Sequence, residues 1–196
     1  EPDFWLDAFV FSATVFGYNF AAPKLRRLPA LAFGLAGVFC FFKLNISQQL
    51  AVALPALIWL FYYDLYRPGK VTGLLRYPAM KPLAIALAWA GVTVLLPLPL
   101  ERWPDAGLLF VGRAAFIFVL ALAYDLCDQP FDLRQGLTTL VLQLGPRRSF
   151  RLIDAVLCLA AGCAVLQVVI GIFPWPAAPA LIVSLALSAV VIRRVT

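Results

Sequence analysis

An all-helical polytopic membrane protein is the fold class this sequence predicts, and three observations predict it. Of 196 residues, 63% are hydrophobic and only 13% are charged, about half the charged share of a soluble domain. The mean hydropathy is +0.92. The apolar residues gather into runs of roughly 17–25 residues, the length at which a helix crosses a bilayer core. Seven helices are therefore expected, at about 4–22, 28–44, 46–66, 82–100, 106–126, 151–172 and 175–193. They should form one transmembrane domain over 1–196, packed around a central cavity that opens on the cytoplasmic side. An apolar run follows Glu1 almost at once, and we expect further residues, up to a whole helix, before it.

The first helix should end at Gly17-Tyr18-Asn19-Phe20-Ala21-Ala22-Pro23-Lys24, because Pro23 and Pro29 bracket a turn crowded by Lys24, Arg26 and Arg27. The second carries Gly34 and Gly37, small residues that let membrane helices approach closely. Lys43, Asn45, Ser47, Gln48 and Gln49 mark the next turn. The third ends in Trp59, Phe61, Tyr62, Tyr63 and Tyr66, rings that favour the headgroup level. A basic loop, RPGKVTGLLRYPAMKP, leads to the fourth, which closes on Pro97 and Pro99 before a turn with Glu101, Arg102 and Asp105. The fifth run, 106–123, carries one charge, Arg113, and the last two are joined by the uncharged Phe173-Pro174-Trp175-Pro176.

All but three of the 16 Lys and Arg (Lys43, Arg102 and Arg113) lie in turns 23–27, 67–81 and 127–151 or at the C-terminus. By the positive-inside rule those segments are cytoplasmic. The N-terminal end is then outside, and Asn19, the 67–81 loop, Asp125, Asp128, Asp132 and the C-terminus share the cytoplasmic side. A net charge of +6 distributed in this way follows membrane topology and does not argue for nucleic acid. With no histidine in the sequence, His-based catalysis and haem ligation by His are excluded. Cys40, Cys127, Cys158 and Cys163 form no C-x-x-C pair and read as small core residues.

The stretch Tyr124–Gly145, YDLCDQPFDLRQGLTTLVLQLG, holds Asp125, Asp128 and Asp132 directly after the fifth run. Carboxylates at the mouth of a membrane segment are expensive to bury and mark a function or a partner. On a continuous helix the three fall within roughly 60° of one face. Three carboxylates on one face suit a hard cation such as Mg²⁺, which takes oxygen ligands and phosphate as co-ligand. A polar helix end in water is the plainer reading. Pro130 lies inside the motif and should break or kink the helix there. Without a ligand, at least one aspartate should pair with Arg134 or another arginine.

Asp125, Asp128 and Asp132 with Arg134, Gly136, Thr139 and Leu144-Gly145 resemble the second aspartate motif of the UbiA superfamily of intramembrane prenyltransferases. Tyr77-Pro78-Ala79-Met80-Lys81 is similar to a Y-P-x-M-K stretch in the hydroxybenzoate-prenylating members. Thr138 stands where the family has lysine. The family's first motif, N-D-x-x-D-R, aligns with Asn19-Phe20-Ala21-Ala22-Pro23-Lys24, so Phe20 and Pro23 replace both carboxylates. The resemblance implies a helical bundle around a central cavity in a bacterial inner membrane, with its site on the cytoplasmic side.

It also implies transfer of a prenyl group from an isoprenoid diphosphate to a lipophilic aromatic acceptor. Asp125, Asp128 and Asp132 would be the catalytic residues and the ligands of Mg²⁺. Tyr18, Asn19, Lys24, Lys81 and Arg134 would bind the substrate. The departures in the first motif leave a second reading open: a catalytically inactive UbiA-like structural or lipid-binding subunit of a larger membrane complex, needing no cofactor. A transporter is disfavoured, since the hydropathy shows no inverted repeat.

Overall fold

The computed structural model describes residues 3–21, 27–65, 77–134, 138–174 and 177–195, and among them every regular element is helical. The helices are α1 (Phe4–Ala21), α2 (Arg27–Phe41), α3 (Ile46–Leu65), α4 (Met80–Ala90), α5 (Gly107–Cys127), α6 (Gln129–Arg134), α7 (Leu140–Leu144), α8 (Pro146–Val169) and α9 (Ala177–Val195). Each long helix lies on one of the expected apolar runs. The short α6 and α7 fill the polar connection after α5, and α8 begins five residues earlier than expected, at Pro146. Pro at the first helical position is pre-set for that turn and loses no hydrogen bond there. Gly145, at φ 72°, makes the left-handed corner between α7 and α8. Two described segments, Pro104–Cys127 and Pro146–Val169, are long and apolar enough to cross a membrane.

Side-chain ties show how the helices run. Gln48 Nε2 donates to Asp3 Oδ2 at 2.8 Å, which sets the start of α3 beside the start of α1. Leu100 N donates to Ser47 Oγ at 3.2 Å, so the chain after α4 returns to the start of α3. Gln167 Nε2 donates to Leu108 O at 3.1 Å, joining the end of α8 to the start of α5. Arg193 meets the Asp154 carboxylate at 2.8 and 2.9 Å, joining the end of α9 to the first half of α8. Successive long helices therefore run antiparallel, α1 and α3 run parallel, and the molecule has two distinct ends. Asn19, Lys81, Asp125 and Arg193 lie toward one, the motif end. Asp3, Gln48, Leu100, Leu108 and Gln167 lie toward the other, the far end.

The buried core joins α5, α7, α8 and α9 through Val119, Leu122, Val141, Ile153, Leu157 and Ile192. Between α1 and α2 the glycines act as expected: a Cβ on Gly34 would come within 3.0 Å of the Phe16 ring. At the far end Asn45 and Gln48 form a reciprocal capping box. Gln48 N donates to Asn45 Oδ1 at 2.9 Å, and Asn45 N to Gln48 Oε1 at 3.0 Å. Asp3 Oδ1 caps α1 by accepting from Trp5 N and Leu6 N.

Beyond Ala90, α4 widens into a π-helical turn, Gly91–Leu95, closed by Leu96 N donating to Gly91 O at 3.0 Å. Thr93 Oγ1 donates to Trp89 O at 2.7 Å and satisfies a carbonyl at the entry to the turn. Gly91 faces α3 at Pro55, which lies inside that helix, and a Cβ there would meet Leu54 at 3.4 Å and Pro55 at 3.6 Å. A groove of about 570 Å³ separates α1 from this half of α4, lined by Leu6, Val10, Thr14, Trp89 and Thr93 among others. It lies toward the far end, away from Lys81, where the expected cavity was to open on the motif side.

Candidate functional site

Asp125 and Lys81 form the centre of the motif end. Asp125 lies in the last turn of α5 and Lys81 in the first turn of α4. Each charge is unfavourable for its own helix: a cation faces the positive N-terminal end and an anion the negative C-terminal end. Pairing them across the α4–α5 contact resolves both. Lys81 Nζ donates to Asp125 Oδ1 at 2.6 Å, and the Asp125 side chain is 2% exposed. The turn Tyr77–Ala79 starts α4, with Met80 N donating to Tyr77 O at 2.9 Å. The Y-P-x-M-K stretch thus delivers its lysine directly to the second motif. The expected arginine partner is corrected by this geometry: the counter-ion of Asp125 is a lysine 44 residues upstream, and Arg134 is exposed at the end of α6. Arg134 leaves the helix face that Asp125 uses, because α5 does not continue into α6.

Pro130 sets that break. It has no N–H to donate to Leu126 O, so α5 stops at Cys127 and Asp128 takes φ −91°, ψ 4° outside the helix. The Asp128 carbonyl then accepts from both Phe131 N and Asp132 N, which starts α6. The three carboxylates consequently leave the common face that a continuous helix would give. Asp125 and Asp132 are buried and Asp128 is half-buried. Among the described residues, no three acidic or thiol side chains gather closely enough to hold a metal ion together.

Among the described residues, three buried oxygens here accept or donate nothing: Asp125 Oδ2, Asp132 Oδ2 and Thr139 Oγ1. An unsatisfied buried polar atom costs about 1–3 kcal/mol, more when charged. Burial pushes the Asp132 carboxyl above its ordinary range. Lys81 opposes that rise, and the neighbouring Asp125 and Asp128 carboxylates reinforce it. Thr139 precedes α7 in an extended conformation but does not cap it with its side chain. Its place in the motif was legible in the sequence, whereas its unpartnered hydroxyl was not.

The first-motif residues are placed differently. Asn19 Nδ2 donates to Val15 O at 2.8 Å, so its amide is bound to its own helix. Tyr18 lies in α1, with its side chain outside the described part. Lys24, Arg26, Gly136 and the loop 66–76 lie outside the described residues. Of the cysteines, Cys40 and Cys163 are buried as expected, and Cys127 and Cys158 are exposed.

Compared with protein families, with curated proteins and with solved structures, the chain matches none. The resemblance to the UbiA superfamily is therefore carried by the motif residues alone.

Proposed function

We propose that this chain is a UbiA-like membrane protein that binds an isoprenoid diphosphate at the motif end. In the family reaction that the motifs imply, the prenyl group passes to a lipophilic aromatic acceptor. The observation that carries the reading is the pair of buried carboxylates beside Lys81, each with one oxygen left without a partner. Carboxylates in that state call for a cation, and a lysine already committed to one of them is available to an anion that arrives with the cation. Embedding in a bacterial inner membrane with this end cytoplasmic is supported by the charge alternation and by large exposed apolar side chains. Leu35 and Val169, for example, are 71% and 70% exposed, more than a water-facing surface tolerates in contiguous patches.

Asp125 and Asp132, through the oxygens that lack partners, would hold one Mg²⁺ completed by water and phosphate oxygens. When bound, that ion would draw charge onto the leaving diphosphate. Lys81 would shift from Asp125 toward the phosphate, and Asp128 would keep the break between α5 and α6 open to it. The experiment is diphosphate release by the purified chain given Mg²⁺ and a prenyl diphosphate. Release that disappears in Asp128→Ala and Asp132→Ala supports the proposal; binding without release, unchanged in these variants, refutes it.

One observation favours the second reading, an inactive structural or lipid-binding subunit. Asn19 turns to its own helix, and Phe20 and Pro23 bring no oxygen side chain to face the aspartates. Under that reading the chain co-purifies with fixed partner proteins in mild detergent and shows no turnover with any acceptor.

A further inference from the structure

A second place in the molecule joins a charge to an apolar cleft, and it lies in the far half, away from Lys81 and Asp125. A cavity of about 190 Å³ opens between α5, α8 and α9, walled by Leu109, Phe116, Phe173 and Leu185. Small residues make the space: Gly112 on α5 and Ala160 and Ala164 on α8 line it. Arg113 lines it too. This is the only charge in the apolar run 106–123, and among the described residues its guanidinium has no hydrogen-bond or ion-pair partner. Gln167, buried at the end of α8, also lines the cleft, with its Nε2 committed to Leu108 O.

An arginine inside an apolar span is costly unless it reaches a counter-charge or the interface. Arg113 sits about 9 Å along α5 from Gly107, within reach of the headgroup level for a long side chain that snorkels. Phosphate is the anion a guanidinium binds best, through two parallel hydrogen bonds. We propose that this cleft holds one anionic phospholipid, with its phosphate on Arg113 and one acyl chain between α5, α8 and α9. The inference needs a membrane around the chain but does not depend on the motif-end chemistry. The apolar walls alone would take any hydrocarbon. The unpartnered cation beside them selects an amphiphile with a negative head.

Native mass spectrometry of the full chain in mild detergent, with phosphatidylglycerol and phosphatidylcholine of the same acyl chains, tests this. The expected result is one bound phosphatidylglycerol. Its occupancy should fall at least tenfold in Arg113→Gln and in Ala164→Phe, which fills the cleft. Arg102→Gln, a cation of the same half outside the cleft, should keep it. Where Ala164→Phe fails to fold, the exposed and partnerless Arg113 decides alone: added phosphatidylglycerol should raise the unfolding midpoint of the wild type and not of Arg113→Gln. Equal retention in Arg113→Gln, equal loss in Arg102→Gln, or equal binding of phosphatidylcholine would overturn the proposal.

Discussion

Lys81 Nζ lies 2.6 Å from Asp125 Oδ1 and pins the first turn of α4 to the last turn of α5. Removing one member of a buried pair leaves the other charge uncompensated, at about 3–5 kcal/mol. Lys81→Met should therefore destabilise strongly, by about 3 kcal/mol, since Asp125 is the deeper partner. The double variant Lys81→Met/Asp125→Leu should recover most of that loss. Thermal unfolding in detergent for the three variants measures the coupling, and strictly additive losses would show that the pair is not a unit.

Asp132 should make stability fall as pH rises. Its folded-state carboxyl is held above its ordinary value by burial. Below the unfolded value of about 3.9, both states are protonated and the folded state bears no penalty. The penalty grows as pH rises and is complete above the folded pKa. Asp132→Asn should thus raise the unfolding midpoint at neutral pH, by about 2–4 °C if about 1 kcal/mol is relieved, and change nothing at pH 3. A stabilisation of equal size at both pH values would contradict the cause.

The far end should respond in the opposite sense. The side chain of Gln48, and then the backbone of Leu6, hold the Asp3 carboxyl below its ordinary value. That contribution is present above the unfolded value of about 3.9 and is lost as pH falls through the folded pKa. Gln48→Ala removes the tie and half of the capping box, at about 1 kcal/mol, and should flatten the acid limb. An unchanged acid limb would separate Asp3 from α3.

Gly112 and Gly162 make a matched pair. A Cβ on Gly112 would meet Cys163 Cβ at 3.0 Å and Gln167 Nε2 at 3.2 Å, whereas one on Gly162 meets nothing within 4 Å. Gly112→Ala should destabilise by about 1–3 kcal/mol through overpacking. Gly162→Ala should stabilise by up to about 1 kcal/mol, the helix-propensity gain. Denaturant or thermal titration of both variants checks the contrast, and a gain at Gly112 would mean that α5 and α8 separate easily.

Much of this was legible because it is local or periodic. Run lengths located α1 to α5, α8 and α9 to within a few residues at most ends. Pro130 announced the stop at Cys127 through its missing N–H, and alternating loop charges sorted Asn19, Lys81 and Asp125 to one end. The partner of Asp125 was not legible, because nothing local distinguishes a lysine 44 residues away from the arginine nine residues on. A clue existed in retrospect: both residues oppose the dipole of their own helix. The Asn45-x-x-Gln48 box was also readable as a helix start, although its link to Asp3 is tertiary. The π-helical turn has no comparable mark, since neither Gly91 nor Thr93 distinguishes a π turn from an α-helix.

That turn also gives this part of the chain an unusual tolerance of length. A π turn takes up one residue more than the α-helical repeat around it, and the segments on either side keep the setting an uninterrupted α-helix would give them. The segment before it presents Lys81 to Asp125, and the one after it carries the path back to Ser47. Deleting a single residue between 91 and 95 should close the turn into plain α-helix and leave both contacts in place. Deleting one between 82 and 89 has no such outlet: the two sides would be turned by about 100° relative to one another, and only one of the two contacts could survive.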